Sequence, residues 1–386
     1  MSLELADYLR MAEDETRTRA YLAAMRAVIR PGDRVLEIGT GFGFFAIHAC
    51  QLGASEVLAV EPNDVIEHAR ALAEANGCGD RVRFVQARAE TLPDGWGGDV
   101  LVEDLRGVSP LFGRRLAVLR DAQARLLAPG ARIVPCSDTL VMAPAEVPAD
   151  VPALLAPSSD EPATVHGIIV EPLRRHLVHG IHRTRAGESA LLAAGCAWVR
   201  LDYAELGVED PSGDATWTIG REGVLGGLLS WFEAELAPGI GFSTAPGSDT
   251  VYDRAFLPIG APIAVAARDE VSARIRTAFD GEEYVWRWEV EVRCMDGRVV
   301  RRVGNDLGSR LMASSRRARR RGDFIPQRTT AIARHAVLAA AVDGVADLDE
   351  ISRRVHRSDP KAFPTPHEAL RWVAEALERI AAAVPD

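Results

Sequence analysis

The sequence lacks the features that define several large classes of protein. Its 386 residues include only five cysteines, none in a Cys-x-x-Cys spacing, so we expect reduced thiols and no structural metal site. No apolar run approaches the roughly 20 residues that a membrane-spanning helix needs. Residues 1–7 carry acids where a signal peptide carries bases. We therefore predict a cytoplasmic protein without metal or membrane contacts.

The sequence also has fewer basic residues than acidic ones. The chain has 45 Lys and Arg residues against 55 Asp and Glu residues, which gives a net charge of -10. Since phosphate contacts need a basic face, a nucleic-acid partner is not expected. The basic run at residues 316–321 is interpreted as a solvated linker or, alternatively, as a patch that holds an acidic peptide.

The chain divides into three regions that differ in their pattern of apolar and polar residues. Residues 1–135 alternate short apolar strands with amphipathic helices, which predicts an α/β fold with a doubly wound parallel sheet. Residues 136–315 are mostly strand-like and predict an all-β second domain. Residues 326–386 contain three helical patterns and predict a helical extension. The chain as a whole, with 47% apolar and 26% charged residues, has the composition of a globular protein.

A glycine-rich turn follows the first buried strand of the α/β region. Gly39, Gly41 and Gly43 come directly after that strand, and a strand-to-helix turn without Cβ atoms lets a ligand touch backbone amides. Glu61 ends the second strand about 20 residues later, where a carboxylate can accept both hydroxyls of a ribose. The pattern favours a nucleotide-like ligand; the alternative is an ordinary tight turn.

Three charged positions narrow the choice of ligand. Glu37 precedes the first glycine, which favours a methyltransferase over a dehydrogenase with the Gly-x-Gly-x-x-Gly pattern. Glu90 follows the third strand and could accept the amino group of an adenine. Arg17, on the helix before the first strand, could pair with the carboxylate of a methionine moiety. One cofactor, S-adenosylmethionine with its product S-adenosylhomocysteine, accounts for all of these positions, although each could separately be a surface charge.

These residues resemble the motifs of the protein arginine methyltransferase family over roughly residues 8–300. The most specific match is Leu-Ser-Trp-Phe at 229–232 followed by Phe-Ser-Thr-Ala-Pro at 242–246. The resemblance implies a class I methyltransferase domain, then a β-barrel substrate domain. It also implies a helical arm near residues 167–190 through which two subunits form a ring-shaped homodimer. The cofactor-binding residues that follow are Met11, Arg17, Glu37, Gly39, Gly41, Gly43, Glu61, Ala89 and Glu90.

The chain departs from this family where the acceptor would bind. Family members that methylate arginine grip the planar guanidinium with two glutamates on one loop. Here the corresponding loop has Asp104 at the first position and Gly113 at the second, with Glu103 beside Asp104. The usual Thr-His-Trp becomes Thr-Val-Tyr at 250–252, and the lid before the first domain is truncated. We predict catalytic roles for Asp104 and Glu103, the alternative being a pair that only caps a helix, and substrate-binding roles for Tyr8, Arg106 and Tyr252.

An intact cofactor motif without the guanidinium grip indicates a different acceptor. With one acid left, the leading hypothesis is a single amine of a peptide or small metabolite, oriented or deprotonated by Asp104. Residues 326–386 faintly resemble helical modules that read leader peptides in ribosomal natural-product pathways, which would make the substrate a precursor peptide, as in daptide-type biosynthesis. Otherwise these helices only pack on the barrel. The alternatives are arginine N-methylation of proteins and a catalytically inactive scaffold.

Overall fold

The computed structural model describes residues 4–155, 162–206, 210–306 and 330–380. The basic run at 316–321 lies outside this part of the chain. Two compact units are present, Met1–Leu311 and Met312–Asp386. Across the described ranges, no helix is long and apolar enough to cross a membrane.

The first unit begins with two helices and a five-stranded parallel sheet. The strand order is β3-β2-β1-β4-β5. The strands β2 and β3 are added on one side of β1, and β4 and β5 on the other, so the strand order switches direction between β1 and β4. Ligands bind at such a switch point, outside the carboxyl ends of the strands. The predicted doubly wound sheet is confirmed. Its elements are α1 (Leu5–Glu13), α2 (Glu15–Val28), β1 (Arg34–Ile38), α3 (Phe44–Gln51), β2 (Glu56–Val60), α4 (Ile66–Ala75), β3 (Val82–Val85), β4 (Gly98–Glu103), α5 (Arg115–Arg125) and β5 (Leu127–Val134).

The rest of this unit is antiparallel. A six-stranded sheet pairs in the order β10-β6-β12-β14-β9, with β13 also on β12, and a four-stranded sheet has the order β11-β15-β16-β17. Strand β10 packs against β11 and β14 against β17, which closes the two sheets into the expected barrel-like domain. The strands are β6 (Ser137–Ala145), β9 (His182–Thr184), β10 (Cys196–Asp202), β11 (Ser212–Thr218), β12 (Gly223–Ala237), β13 (Ile240–Ser243), β14 (Arg254–Val265), β15 (Glu270–Phe279), β16 (Tyr284–Arg293) and β17 (Val299–Asn305).

The segment predicted as an arm contains little helix. A two-stranded hairpin, β7 (Thr164–Val165) with β8 (Ile168–Ile169), is followed by one helical turn, α6 (Arg174–Leu177). Val165, Ile168 and Ile169 are all more than half exposed. The feature available for pairing with another molecule is therefore an apolar hairpin rather than a long helix.

The second unit is a three-helix cluster formed by α7 (Thr330–Ala341), α8 (Leu348–Ser358) and α9 (Pro366–Ile380). Asp347 caps α8 by accepting a hydrogen bond from the amide of Glu350. The helices share an apolar core of their own, which explains why they form a separate compact unit. Its buried members include Leu338, Ile351, Val355, Phe363, Ala369 and Val373.

Candidate cofactor and acceptor site

The glycine turn after β1 is shaped for close approach. Gly39 and Gly41 have φ values of +75° and +56°, a left-handed conformation that favours glycine. A Cβ on Gly39 would lie 2.4 Å from the side chain of Leu105, and one on Gly41 would lie 2.7 Å from the ring of Tyr8. Neither position can carry a side chain unless these neighbours move. The turn therefore keeps its backbone open to the space at the end of β1.

A cavity of about 400 Å³ occupies that space. It lies at the carboxyl ends of β1, β2 and β4, where the topology predicts a ligand. Eight of the residues assigned to the cofactor or substrate from the sequence meet around it, together with the catalytic candidate Asp104. The cavity is lined by Tyr8, Met11, Arg17, Glu37, Gly39, Gly41, Glu61, Asp104 and Arg106 among others.

Glu61 is held in place by the glycine turn and by its own strand end. One carboxylate oxygen accepts from the amide of Gly41 at 3.1 Å, and the other accepts from the backbone and side-chain nitrogens of Asn63 at 3.1 and 2.6 Å. The helix α4 that follows begins at Ile66 without a side-chain cap. The amide of Asn63 instead fixes the carboxylate that faces the cavity.

Arg17 reaches the cavity from α2 and is 7% exposed. Its Nε donates to a carboxylate oxygen of Asp104 at 2.6 Å and to the hydroxyl of Tyr252 at 3.3 Å, while Nη1 donates to the carbonyl of Met11 at 3.0 Å. These bonds involve Nε and Nη1, so the N–H groups of Nη2 can hold the carboxylate of a ligand. Arg17 therefore links the predicted cofactor site to the predicted catalytic acid.

Glu37 is buried at the end of β1, where its carboxylate accepts from the hydroxyl of Thr40 at 2.5 Å. Burial raises the pKa of Glu37 to about 8, against the lowering effect of the hydrogen bonds from Thr40 and the amide of Ala46. A carboxyl group of this kind is largely protonated at neutral pH. It would lose its proton when a cationic ligand group settles beside it.

This raised pKa predicts a pH-dependent affinity for S-adenosylmethionine. The folded pKa of Glu37 exceeds that of an unfolded glutamate, so the ligand-free fold holds an extra proton up to about pH 8. Binding a cation should expel that proton, so affinity should rise by up to about tenfold per pH unit below pH 8 and then level off. Calorimetry in buffers of different ionisation enthalpy measures the proton released. In Glu37→Gln the affinity should be lower and independent of pH; an unchanged pH profile would contradict this role.

The predicted adenine side forms a second cavity of about 380 Å³. Ala89 and Glu90 line it, and it shares Pro62, Leu105 and Phe112 with the first cavity, so the two are parts of one elongated cleft. Glu90 accepts from Nε of Arg114 at 3.4 Å. The cleft has Arg17 at one end, Glu61 in the middle and Glu90 at the far end. These side chains match, in the same order, the amino-acid, ribose and adenine parts of a ligand. The residues present thus fit S-adenosylmethionine.

The two predicted catalytic acids face different surroundings. Asp104 lines the first cavity and accepts hydrogen bonds from Arg17, Arg106 and Tyr252. Burial would raise the pKa of Asp104, but the cations Arg17 and Arg106 and the Tyr252 hydroxyl outweigh burial and hold that pKa below its usual range. Asp104 is therefore a permanent carboxylate, suited to orient a cation and unsuited to take up a proton.

Glu103 lies outside the lining of that cavity. Its side chain is fully buried and forms an ion pair with Arg115 on α5, with one Nε to Oε2 distance of 3.1 Å. Its other contact is a hydrogen bond of 2.9 Å from the amide of Leu105. The hydroxyl of Tyr203 accepts from Arg115 at 2.6 Å. Glu103 thus positions the loop that carries Asp104.

A groove of about 620 Å³ lies beyond Tyr252, between the α1–α2 junction and the residues before β14. The hydroxyl of Tyr252 bonds Asp104, so this single side chain connects the groove to the cofactor cavity. Acids outnumber bases along its lining. They are Glu13, Asp14, Glu15, Asp249 and Asp253, against Arg10, Arg185 and Arg254.

Two residues of this network escaped the sequence reasoning. Asp138 on β6 is fully buried and ion-pairs with both Arg106 and Arg115. Asn63, whose two nitrogens donate to Glu61, is the other. An aspartate near the start of a strand that continues with apolar residues is a signal that could have marked Asp138, because a buried charge needs a partner. Its partners, however, are distant in sequence.

The sequence is similar to that of known methyltransferases over the region that builds the cleft. A family described as "Methyltransferase domain" matches residues 35–102. The chain is 32% identical over 140 residues to a probable protein arginine N-methyltransferase 6 of Arabidopsis thaliana, covering 36% of this chain and 32% of that protein. It is 25% identical over 276 residues to an arginine N(omega)-methyltransferase of Streptomyces achromogenes, covering 69% and 74%. The chain thus spans about a third of the length of the first curated relatives that it matches.

Solved structures extend the similarity of fold to the barrel-like domain. The Trypanosoma brucei PRMT1 enzyme-prozyme heterotetrameric complex with AdoHcy aligns with a TM-score of 0.67 at 16% identity, and Arabidopsis thaliana protein arginine methyltransferase 10 aligns at 0.66 and 19%. Each alignment covers 78% of this chain and 98% of the other. The match in fold therefore includes both the parallel sheet and the antiparallel sheets.

Proposed function

We propose that this chain, a member of the protein arginine methyltransferase family by sequence and by fold, transfers methyl groups from S-adenosylmethionine to an amine of a peptide or small metabolite. The observation that carries the proposal is the state of the loop after β4. Asp104 already binds Arg17 and Arg106, Glu103 is paired with Arg115, and Gly113 has no side chain. No carboxylate pair on this loop is therefore left to grip the fork of a guanidinium.

The cofactor half of the reaction is supported by the cleft. Bound there, S-adenosylmethionine would supply an electrophilic methyl group on a sulfonium. Arg17 would hold its carboxylate and Glu37 its ammonium group, while Glu61 would accept the ribose hydroxyls and Glu90 the adenine amino group. Met11 and Tyr8 would cover the methionine end, since both line the cavity beside Arg17. Holding the donor in one orientation supplies much of the rate advantage of an in-line transfer.

The acceptor half is supported by charge. In the groove beside Tyr252, Glu15 is paired with Arg19, and Asp253 with Arg183 and Arg185. The other lining acids, Glu13, Asp14 and Asp249, would attract a cationic acceptor, and Asp104 with Tyr252 would orient its nitrogen. An ammonium must lose a proton before its lone pair can attack. Because the pKa of Asp104 is held below its usual range, that proton is expected to leave to solvent through the groove. Tyr8, Arg106 and Tyr252 remain the proposed residues on the acceptor side.

Two further proposals concern partners. The exposed apolar hairpin formed by β7 and β8 supports pairing of two chains into a homodimer, with an expected cytoplasmic location. The separate core of the three C-terminal helices supports a module that reads the leader of a precursor peptide, which would place the enzyme in ribosomal natural-product biosynthesis. Val345, which is 90% exposed, is a ready apolar contact for such a peptide.

Arginine N-methylation is the second candidate function. The names of the relatives favour it, and the most extensively aligned of those cited is called an arginine N(omega)-methyltransferase. It would require Asp104 to exchange Arg17 or Arg106 for the guanidinium of the substrate. An inactive scaffold is the third candidate, and undetectable affinity for S-adenosylmethionine in calorimetry would favour it.

Asp104→Asn tests the acceptor half of the proposal. The variant removes the charge that faces the acceptor, while its amide oxygen can still accept from Arg17. Turnover is expected to fall by about 100-fold or more, with cofactor affinity kept within about threefold. The assay follows labelled methyl groups from S-adenosylmethionine to a peptide with a free amine. Retained turnover would remove Asp104 from the mechanism, and lost cofactor affinity would restrict it to holding Arg17.

A further inference from the structure

Arg106 differs from the other cations of the cleft because it is enclosed by aromatic rings. Its side chain has no exposed surface, and its guanidinium carbon lies 5.3 to 5.8 Å from the ring centres of four residues. Rings at this distance attract a cation through their negative faces. They belong to Tyr21, Phe232, Phe242 and Tyr252.

Two carboxylates complete this enclosure. Nε of Arg106 lies 3.1 Å from Asp104 and Nη1 lies 2.9 Å from Asp138, while Nη2 donates to the hydroxyl of Tyr21. Aromatic faces together with acids at both ends of the fork are what a protein uses to bind an organic cation as a ligand. We call the four rings with Asp104 and Asp138 the cation cage.

The cage adjoins the cofactor cavity through Asp104, the one of its six members that lines that cavity. Arg106 and Asp104 belong to the lining of that cavity, and Asp104 is shared with Arg17, the residue proposed to hold the methionine end of the cofactor. Tyr252, a wall of the cage, also lines the acid-lined groove. The cage therefore stands between the proposed entrance for the acceptor and the proposed position of the donor.

We infer that Arg106 is a built-in occupant of the cation cage and sets acceptor specificity by excluding guanidinium groups. The inference rests on the proposed function and deepens it, because it gives a physical reason for an amine acceptor. A guanidinium entering the site would have to displace Arg106 from two carboxylates and four rings. A primary amine needs only one further contact with Asp104, whose side chain lines the cofactor cavity and keeps 8% of its surface exposed.

The test measures binding of two probes without methyl donor, n-propylguanidinium and n-propylammonium, by calorimetry and by the shift in melting temperature. The wild-type protein should bind the ammonium better than the guanidinium. Arg106→Ala should bind the guanidinium at least tenfold more tightly than the wild type does, and the preference should invert. The guanidinium should also raise the melting temperature of Arg106→Ala more than that of the wild type.

Arg115→Ala is the matched control. Arg115 is equally buried, pairs with Glu103 and Asp138 and packs on the ring of Tyr203, yet it lines only the adenine side of the cleft and not the cavity that Arg106 and Asp104 line. A guanidinium should therefore gain no comparable affinity for this variant. If it rescues both variants equally, the cage is no more than a structural ion pair and the inference fails.

Two further variants keep the test decisive if Arg106→Ala does not fold. Arg106→Lys retains a charge in the cage and should keep the wild-type preference, and Arg106→Ala with Asp138→Asn removes both charges together. A folded Arg106→Ala variant, alone or combined with Asp138→Asn, that binds the guanidinium no better than the wild type overturns the inference. If the wild type binds neither probe while Arg106→Ala binds the guanidinium, the cage stands and the proposed amine acceptor fails.

Discussion

Arg17→Ala should lower the affinity for S-adenosylmethionine by one to two orders of magnitude, on the order of 1.5–3 kcal/mol for each charged hydrogen bond lost. Arg17 is the one cation from α2 in the lining of the cofactor cavity. Its loss also leaves Asp104 with less compensation, since Arg17 donates to it at 2.6 Å. Titration calorimetry of the folded variant with the cofactor and with S-adenosylhomocysteine measures the effect.

Arg19→Ala is the control for this prediction. Arg19 lies on the same helix two positions later, but its side chain is 76% exposed and pairs only with Glu15 on the surface. Its loss should leave affinity unchanged. Arg17→Lys should recover only part of the affinity, because an ammonium lacks the fork of a guanidinium. An Arg17→Ala variant that binds the cofactor as the wild type does would exclude Arg17 from the site.

Glu103→Gln should lower the free energy of unfolding by about 3–5 kcal/mol, the cost of breaking a buried ion pair on one side. Both side chains of the Glu103–Arg115 pair have no exposed surface, and neutralising Glu103 leaves Asp138, at 3.6 Å, as the carboxylate that still compensates the charge of Arg115. Because Glu103 precedes Asp104, the loop at the cofactor cavity should loosen as well. Urea unfolding followed by fluorescence measures the change.

Asp214→Asn provides the comparison on the surface. The Asp214–Arg274 pair is more than half exposed on both sides, so its loss should change stability by about 1 kcal/mol at most. Glu103→Gln combined with Arg115→Met should recover much of the stability, since it removes both buried charges. If Glu103→Gln and Asp214→Asn lower the free energy of unfolding by equally small amounts, Glu103 does not stabilise the fold. A role at the reacting atoms then becomes the better account.

The cofactor half of the site was predictable because its residues are tied to local sequence patterns. Gly39 and Gly41 follow a buried strand, and Glu61 ends the next one, so the parallel topology alone brings them to one edge of the sheet. The same logic gives the barrel-like domain from alternating strands such as β16. These inferences need only the periodicity of each element and its order along the chain.

The acceptor half could not be predicted in the same way because it depends on long-range pairing of charges. Asp104 and Glu103 are adjacent in sequence, but Glu103 ends β4 and Asp104 begins the loop that follows, so their side chains meet different neighbours. Whether an acid is available then depends on Arg17, Arg115 and Asp138, which come from three other elements. The sequence shows an arginine at position 106, but it does not predict that aromatic rings of the barrel-like domain surround this side chain.

The most direct test of the account identifies the nitrogen that receives the methyl group. The full-length protein is incubated with isotopically labelled S-adenosylmethionine and a mixture of peptides that carry both arginine and free amino groups, and the products are sequenced by mass spectrometry. The account predicts label on amino nitrogens and none on guanidino nitrogens. Label on the guanidino nitrogens of arginine would contradict it.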